Sequence, residues 1–389
     1  MIDFSMTLRQ SEIKAQVETF IADKVIPIEQ AFGPNQVDDK LRIELNALAK
    51  QAGVFAPHVP KEFGGMGLNH IDISIAFEAA GYSLLGPIAM HCAAPDEGNM
   101  NMLAQVANEA QKERFLRPLA NGDMRSAFAM TEPQPGAGSD PSLMATMAVK
   151  DGDDYIINGQ KWLITGADGA GFFIIMAASP NPDGGRNVAT MFFADANTPG
   201  IEVERHVPTT DRTFTGGHGV VNFKDVRIPA SDILGEFGKG FQYAQVRLAP
   251  ARLTHCMRWL GAAKRTHDIA LAYAKQRTAF SKPLIDHEGV GYMLADNEID
   301  LHQCRMAIWH SAWLLDNGDE GGRTSSMTKV LCSELLDRIA DRSQQIMGGM
   351  GVTHDTVVAQ IATEVRAFRI YDGPSEVHRW SLAKKLARD

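Results

Sequence analysis

The sequence predicts an α+β protein: a helical segment over residues 1–125, a β segment over 126–240 and a helical bundle over 241–389. Three observations carry that expectation. Apolar residues recur at helical spacing as far as about Ala120. Strand-like apolar runs bounded by Gly and Pro fill the middle. Beyond Phe241 the helical period returns over stretches long enough to form a bundle.

Taken in order, IKAQVETFIADKVIPIEQ sets Ile13, Val17, Phe20 and Ile21 on one helical face. The stretch HVPKEFGGMGLNH interrupts that pattern with a loop. DDYIINGQKWLIT predicts two strands about an Asn158-Gly159 turn, a dipeptide suited to the left-handed conformations of a tight hairpin. Strands follow in GFFIIMAAS, NVATMFFADA, GIEVERHVP and GVVNFKDVRIP, the first two separated by the breaker-rich SPNPDGGRN. The closing part holds LTHCMRWLGAAKRTHDIALAYAKQR, GYMLADNEIDLHQCRMAIWHSAWLLD and RTSSMTKVLCSELLDRIADRSQQIM, each with an apolar face broad enough to bury against a neighbour.

Composition excludes several classes. A chain of 389 residues, 44% apolar, forms sizeable cores without disulfide staples. Cys92, Cys256, Cys304 and Cys332 lie far apart with no CxxC pair, which argues against a secreted disulfide framework and a zinc knuckle and for a reducing, cytoplasmic compartment. The start MIDFSMTLRQSEIKAQ is neither a secretory core nor an anchor. No apolar run approaches the roughly 20 residues that span a bilayer. A net charge of −9 disfavours nucleic acid, whose phosphates call for a basic footprint.

Individual motifs admit two readings each. In RIYDGPSEVHR, Asp372 is by residue type a helix N-cap or a solvated turn aspartate. TEPQPGAGSD is either an anion-binding loop, with open backbone N–H groups and the hydroxyls of Thr131 and Ser139, or a plain Gly-Pro connection. Gly348, Gly349 and Gly351 lack dinucleotide-fingerprint spacing and read as a helix C-terminal turn. Glu298 and His302 stand four apart, where a di-iron bundle needs a paired Glu-x-x-His, so no metal site is expected.

The order of AMTEPQPGAGSD, YIINGQKWLIT, KQRTAFSKPL, QIMGGMG and RIYDGPSEVHR resembles an acyl-CoA dehydrogenase over nearly the whole chain. APDEGNM, RLAPARLTHCMR and DGPSEVHR look closest to family members ten and eleven. The resemblance implies an N-terminal all-α domain, a central β-sheet or barrel domain and a C-terminal four-helix bundle. It also implies FAD, an acyl-CoA substrate, fatty-acid β-oxidation, an electron-transferring flavoprotein as acceptor, and a homodimer or homotetramer.

By that resemblance, Phe128, Met130 and Thr131 face the flavin ring, Thr165 reaches its N5 region, and Ser139 lies where pyrophosphate and CoA approach. Arg277, Phe280, Gln345, Gly348 and Gly349 match positions that grip FAD across a subunit interface, and Ser375 and Glu376 also fall at the cofactor. Arg252 and Gly373 match substrate-site positions. Arg277 and Phe280 otherwise read as a helix C-terminal cation and a core aromatic. Asp372 occupies the slot of the catalytic base, normally glutamate, that takes the α-proton while the β-hydrogen leaves as hydride to the flavin. Burial against Ile370, Tyr371 and the substrate is expected to raise its pKa, and Pro374 to open the closing helix.

Three departures qualify the resemblance. Aspartate is one methylene shorter than glutamate, about 1.5 Å less reach. Leu163 stands where many relatives carry a flavin-shielding tryptophan, and strand alternation points Trp162 to the other face. Gln134 and Pro135 are extra in the phosphate loop. Two rival readings follow: a flavin oxidase or monooxygenase, betrayed by peroxide release, and a non-catalytic acyl-CoA or FAD binder, yellow but never bleached by substrate.

Overall fold

A computed structural model describes residues 5–387. Helices α1 (Leu8–Phe20), α2 (Ile26–Phe32), α3 (Asp39–Gln51), α4 (His70–Gly81), α5 (Gly86–Ala89), α6 (Asp96–Val106), α7 (Glu109–Gln111) and α8 (Arg117–Ala120) form the first part. The face read from sequence is the buried one: Ile13, Val17, Phe20 and Ile21 are each at most 7% exposed. Thr7 caps α1 through its hydroxyl, which accepts from the Gln10 amide, while the Gln10 side chain bonds back to the Thr7 N–H.

Seven strands follow: β1 (Ser126–Ala129), β2 (Met147–Asp151), β3 (Asp154–Thr165), β4 (Phe172–Ser179), β5 (Val188–Asp195), β6 (Ile201–His206) and β7 (His218–Pro229). They make one curled sheet in the order β1-β4-β2-β3-β7-β6, with β5 antiparallel on β4. Strand β4 is buried along its whole length because it separates two cores. Phe172, Ile174 and Met176 join the helical core, whereas the alternate Phe173, Ile175 and Ala177 fill the interior of the curled sheet. A continuous apolar run is the sequence signature of such a two-faced strand.

The Asn158-Gly159 hairpin is corrected. Strand β3 runs straight through that dipeptide with a register shift between Ile157 and Gly159. The Asn158 amide is instead spent across the sheet, donating to Asp225 Oδ1 at 3.1 Å and accepting from the Asp225 N–H at 2.8 Å. The hairpin turn lies earlier, at Gly152 and Asp153, closing the Asp151–Asp154 pair of β2 and β3 with Gly152 at φ +64°.

The last part comprises α9 (Gly240–Gln276), α10 (Glu288–Asp316), α11 (Gly322–Met347), α12 (Val358–Val365) and α13 (Ser375–Leu386). Helices α9, α10 and α11 pack along one another, and α13 lies on α11. Helix α4 also crosses α9 at close range. A Cβ on Gly81 would meet the Arg258 carbonyl oxygen at 1.9 Å, and one on Gly261 would meet that of Glu78 at 2.0 Å. Two hydrogen side chains thus let the N-terminal helices close over the segment of α9 that carries His255 and Arg258.

Candidate active site

After α12 the chain makes one 3₁₀ turn (Arg366–Arg369) and then places two consecutive residues in left-handed conformations, Asp372 at φ +52° and Gly373 at φ +97°. A side chain at position 373 would meet His378 Nε2 at 2.6 Å, so glycine is required there. For Asp372 the conformation is strained, and hydrogen bonds on either side hold it. The Asp372 carbonyl accepts from Arg252 Nε and faces His378 Nε2, each at 3.1 Å, and the Gly373 carbonyl accepts from Lys329 Nζ at 2.7 Å. Pro374 is the N-cap residue just outside α13, one position earlier than the first-turn place expected from sequence.

The carboxylate points back to α9. Asp372 Oδ2 lies 3.3 Å from His255 Nε2, and the aspartate side chain is 18% exposed. Arg258 Nη2 donates to His255 Nδ1 at 3.0 Å, so the hydrogen of a neutral ring sits on Nε2 and faces the carboxylate. Burial, then the Arg258 charge, holds His255 down at about 4. Burial also pushes the Asp372 carboxyl up, but the His255 hydrogen bond together with the charges of Arg247 and Arg252 outweighs it and holds the acid well below its usual range. The burial that the chain's own residues provide does not by itself raise this pKa: the cationic surroundings win. Ile370, named as a wall of that burial, is 59% exposed.

A supporting layer ties this cluster to the N-terminal helices. Arg258 Nη1 donates to the Cys92 carbonyl at 2.8 Å and lies 3.7 Å from Glu97 Oε2, which also accepts from Thr254 Oγ1 at 2.8 Å. Arg247 Nε donates to Asn99 Oδ1 at 2.7 Å, and its guanidinium lies 4.3 Å from the Phe128 ring centre. Pro250 lies inside α9 and has no N–H for the Val246 carbonyl, which the Asn101 amide reaches at 3.4 Å. A cavity of about 50 Å³ opens beside the cluster, lined among others by Ala93, Phe214, His255, Arg258, Trp259 and Ala262. Tyr371, next to Asp372, accepts from Trp259 Nε1 at 2.6 Å.

Sequence reasoning passed over His255, Arg258, Arg247, Glu97, Asn99 and Lys329 as functional groups. The signal was available in part. Arg252, His255 and Arg258 step by three along one helix, and the carboxylates of APDEGNM are their natural partners.

The loop after β1 is anchored by a buried ion pair. Lys161 Nζ lies 2.8 Å from Glu132 Oε1, with side chains 0% and 2% exposed. Glu132 accepts further from the N–H groups of Ala137, Ala145 and Thr146 at 3.0, 2.7 and 2.9 Å. This clamp presents Ser139 and Gly138 to open space, with Gln134 and Pro135 at its exposed tip. Thr131 is bound to the strand beyond: its hydroxyl donates to the Trp162 carbonyl at 2.7 Å, and its carbonyl accepts from the Trp162 N–H at 3.0 Å.

Strand alternation fails between Lys161 and Ile164, which corrects the expectation for Trp162. Leu163 sits at φ +55° in a bulge, so Lys161 and Ile164, three apart, are both buried. The residue after each, Trp162 and Thr165, is half-buried on the other side. Without the extra residue Thr165 would share the buried face of Lys161.

The remaining expected cofactor residues fall into two groups. Phe128 and Met130 are half-buried beside the Arg247 side of the cluster. Arg277, Gln345, Gly348 and Gly349 are exposed, and no hydrogen bond or ion pair among the described residues links them to Asp372. Arg277 is the C-cap residue of α9 and has no carboxylate within ion-pairing distance among the described residues. Phe280 is 92% exposed at φ +51°, which removes the core-aromatic reading. Glu376 is exposed, whereas Ser375, the first residue of α13, is 1% exposed with its Oγ 3.5 Å from Ser333 Oγ.

Three family models match in succession: acyl-CoA dehydrogenase N-terminal domain over 7–123, middle domain over 127–226 and C-terminal domain over 238–387. FadE2 of Mycobacterium tuberculosis, named a probable acyl-CoA dehydrogenase, is 34% identical, with 100% of this chain and 98% of FadE2 covered. Acyl-CoA dehydrogenase family member 11 of Homo sapiens is 33% identical over 99% of this chain, which spans 51% of that relative's length. Among solved structures, butyryl-CoA dehydrogenase from Megasphaera elsdenii superposes with a TM-score of 0.88 at 28% identity, covering 100% of both chains. The FAD complex of PigA superposes with a TM-score of 0.85 at 25% identity, covering 99% of both.

Proposed function

The chain belongs to the acyl-CoA dehydrogenase family and binds FAD, and on that premise we propose that it converts a saturated acyl-CoA to its trans-2-enoyl-CoA with Asp372 as the α-proton base. The observation that carries this reading is the setting of Asp372: a carboxylate held ionised, aimed by a strained left-handed backbone at a histidine that lines a cavity.

The residues present fit a dinucleotide. Gly138, Gly348 and Gly349 border open space, since a Cβ on any of them would meet nothing within 4 Å. Arg277, without a carboxylate partner among the described residues, offers a guanidinium suited to pyrophosphate. Phe280, 92% exposed, leaves its ring free to pack against a ligand. In our reading Phe128, Met130, Thr131 and Thr165 hold the ring system, and Ser139 meets the phosphates. Arg277, Phe280, Gln345, Gly348 and Gly349 serve the cofactor of a second copy, in a homodimer or homotetramer. Bound FAD supplies the hydride acceptor for the β-hydrogen.

The chain's own groups do the rest. Asp372 takes the proton from the α-carbon. In our reading the Asp372 N–H donates to the thioester carbonyl and so stabilises developing enolate charge. His255 keeps the carboxylate oriented while remaining neutral, and Arg252 and Lys329 fix the loop through its carbonyls. A base held this far down is a weak one. Binding of substrate completes the site, because an acyl chain laid over Asp372 excludes water and raises the cost of the buried anion.

We assign electron delivery to an electron-transferring flavoprotein. With four free, buried cysteines, a reducing cytoplasmic compartment suits the chain. The net charge of −9 fits an anionic nucleic-acid partner poorly. The test is an anaerobic screen of the FAD-bound protein against acyl-CoAs of graded length, recording flavin absorbance near about 450 nm. Bleaching by at least one acyl-CoA is the expected result, and yellow protein bleached by none overturns the dehydrogenase reading.

A further inference from the structure

Thr165 and His218 stand directly opposite each other on β3 and β7, and a second link lies behind them. Thr165 Oγ1 is 3.0 Å from His218 Nδ1, and His218 Nε2 is 3.1 Å from each carboxylate oxygen of Asp211. The pair is nearly sealed, with side chains 11% and 6% exposed. Phe214, whose ring centre lies 5.3 Å from that of His218, lines the cavity near Asp372, so the pair adjoins the candidate active site.

The direction of these bonds is decided from the far end. Burial pushes the Asp211 carboxyl up, but the hydrogen bond from His218 helps hold it below its usual range, so it accepts and does not donate. Nε2 of His218 therefore carries hydrogen, and in the neutral form of the ring Nδ1 is left with a lone pair. The only hydrogen available for the 3.0 Å contact is then that of the Thr165 hydroxyl. Thr165, its hydrogen committed inward, presents lone pairs on its outer side.

We infer that Asp211 and His218 are positioning residues that make Thr165 a hydrogen-bond acceptor toward the flavin, an inference resting on the proposed place of Thr165 at the ring. The ring nitrogen there carries hydrogen when the flavin is reduced and none when it is oxidised. An acceptor at that edge favours the reduced form. A donor would favour the oxidised form. The pair thereby makes the bound cofactor easier to reduce, which suits hydride acceptance from a saturated acyl chain.

The test is the midpoint potential of the FAD-bound protein, measured by anaerobic equilibration with reference dyes. Asp211→Asn places a carboxamide donor at Nε2, which moves the ring hydrogen to Nδ1 and reverses the Thr165 hydroxyl. His218→Phe removes the inward acceptor. Each variant is expected to lower the potential by the equivalent of tenfold in the reduced-to-oxidised ratio, about 30 mV for a two-electron couple. In a Thr165→Val background neither change has further effect. Unchanged potentials in both variants, or shifts that persist without the Thr165 hydroxyl, overturn the inference. If Thr165→Val alone leaves potential and flavin spectrum untouched, the place of Thr165 at the ring falls and the inference falls with it. A shift in Thr165→Val with none in Asp211→Asn and His218→Phe overturns the inference and leaves the proposed function standing.

Discussion

His255 Nε2 lies 3.3 Å from Asp372 Oδ2, and Arg258 donates to the other ring nitrogen at 3.0 Å. With Nδ1 occupied as an acceptor, the neutral imidazole can only donate to the carboxylate, which lowers the acid's pKa. His255→Phe removes that donor. The acid limb of the pH–rate profile for acyl-CoA dehydrogenation should move to higher pH, while the rate at pH 8 stays within about tenfold because the base itself remains. A stationary limb would contradict the coupling.

The Lys161–Glu132 pair is a second point of leverage. Burial holds Lys161 down at about 8, and Glu132 lies at about 2, where burial is overcome by Lys161 and by backbone N–H bonds. Lys161→Met leaves a buried carboxylate without its cation and should cost about 3–5 kcal/mol. Thermal melting reads the loss, and flavin content should fall with it, since the same carboxylate holds the phosphate loop. Lys161→Met with Glu132→Gln should recover part of the stability.

Glu364 gives a pH-dependent prediction. Burial pushes its carboxyl up to about 7, against hydrogen bonds from Thr213 and Gln360. The folded-state pKa lies above the unfolded one, so this group favours folding at low pH, and that advantage is lost as pH rises from about 4.5 to 7. Glu364→Gln should therefore come nearest the parent below about pH 4.5 and melt higher than the parent at pH 8, the gap levelling off above about pH 7. A constant gap would contradict it.

Phe280 and Arg277 test the second-copy cofactor site. Phe280→Ala and Arg277→Ala should each leave the melting of flavin-free protein within about 0.5 kcal/mol, as for exposed substitutions. Both should lower the flavin-to-protein ratio of the assembled enzyme in gel filtration. Undiminished flavin in both variants would place the cofactor elsewhere.

Much of the fold was legible because hydrophobic period and local chemistry agree. Ile13, Val17, Phe20 and Ile21 fall on the buried face that their spacing indicates. The errors came where an extra residue breaks a period. Asn158-Gly159 carries hairpin chemistry, yet its amide bonds across to Asp225 and the chain continues as a bulged strand. Leu163 in its bulge puts Trp162 and Thr165 on one side of the strand, where alternation assigns them to opposite faces. The site was legible at Asp372 but not in its charge state, since helix spacing alone does not tell that Arg247, Arg252 and His255 converge on one carboxylate more than a hundred residues later.

The central claim is that Asp372 removes the α-proton, and stopped-flow anaerobic reduction of Asp372→Asn by an acyl-CoA that bleaches the parent tests it most directly. The variant should keep its bound flavin and its affinity for the acyl-CoA while flavin reduction slows by about 10²–10⁴-fold. Reduction at the parental rate would contradict the assignment.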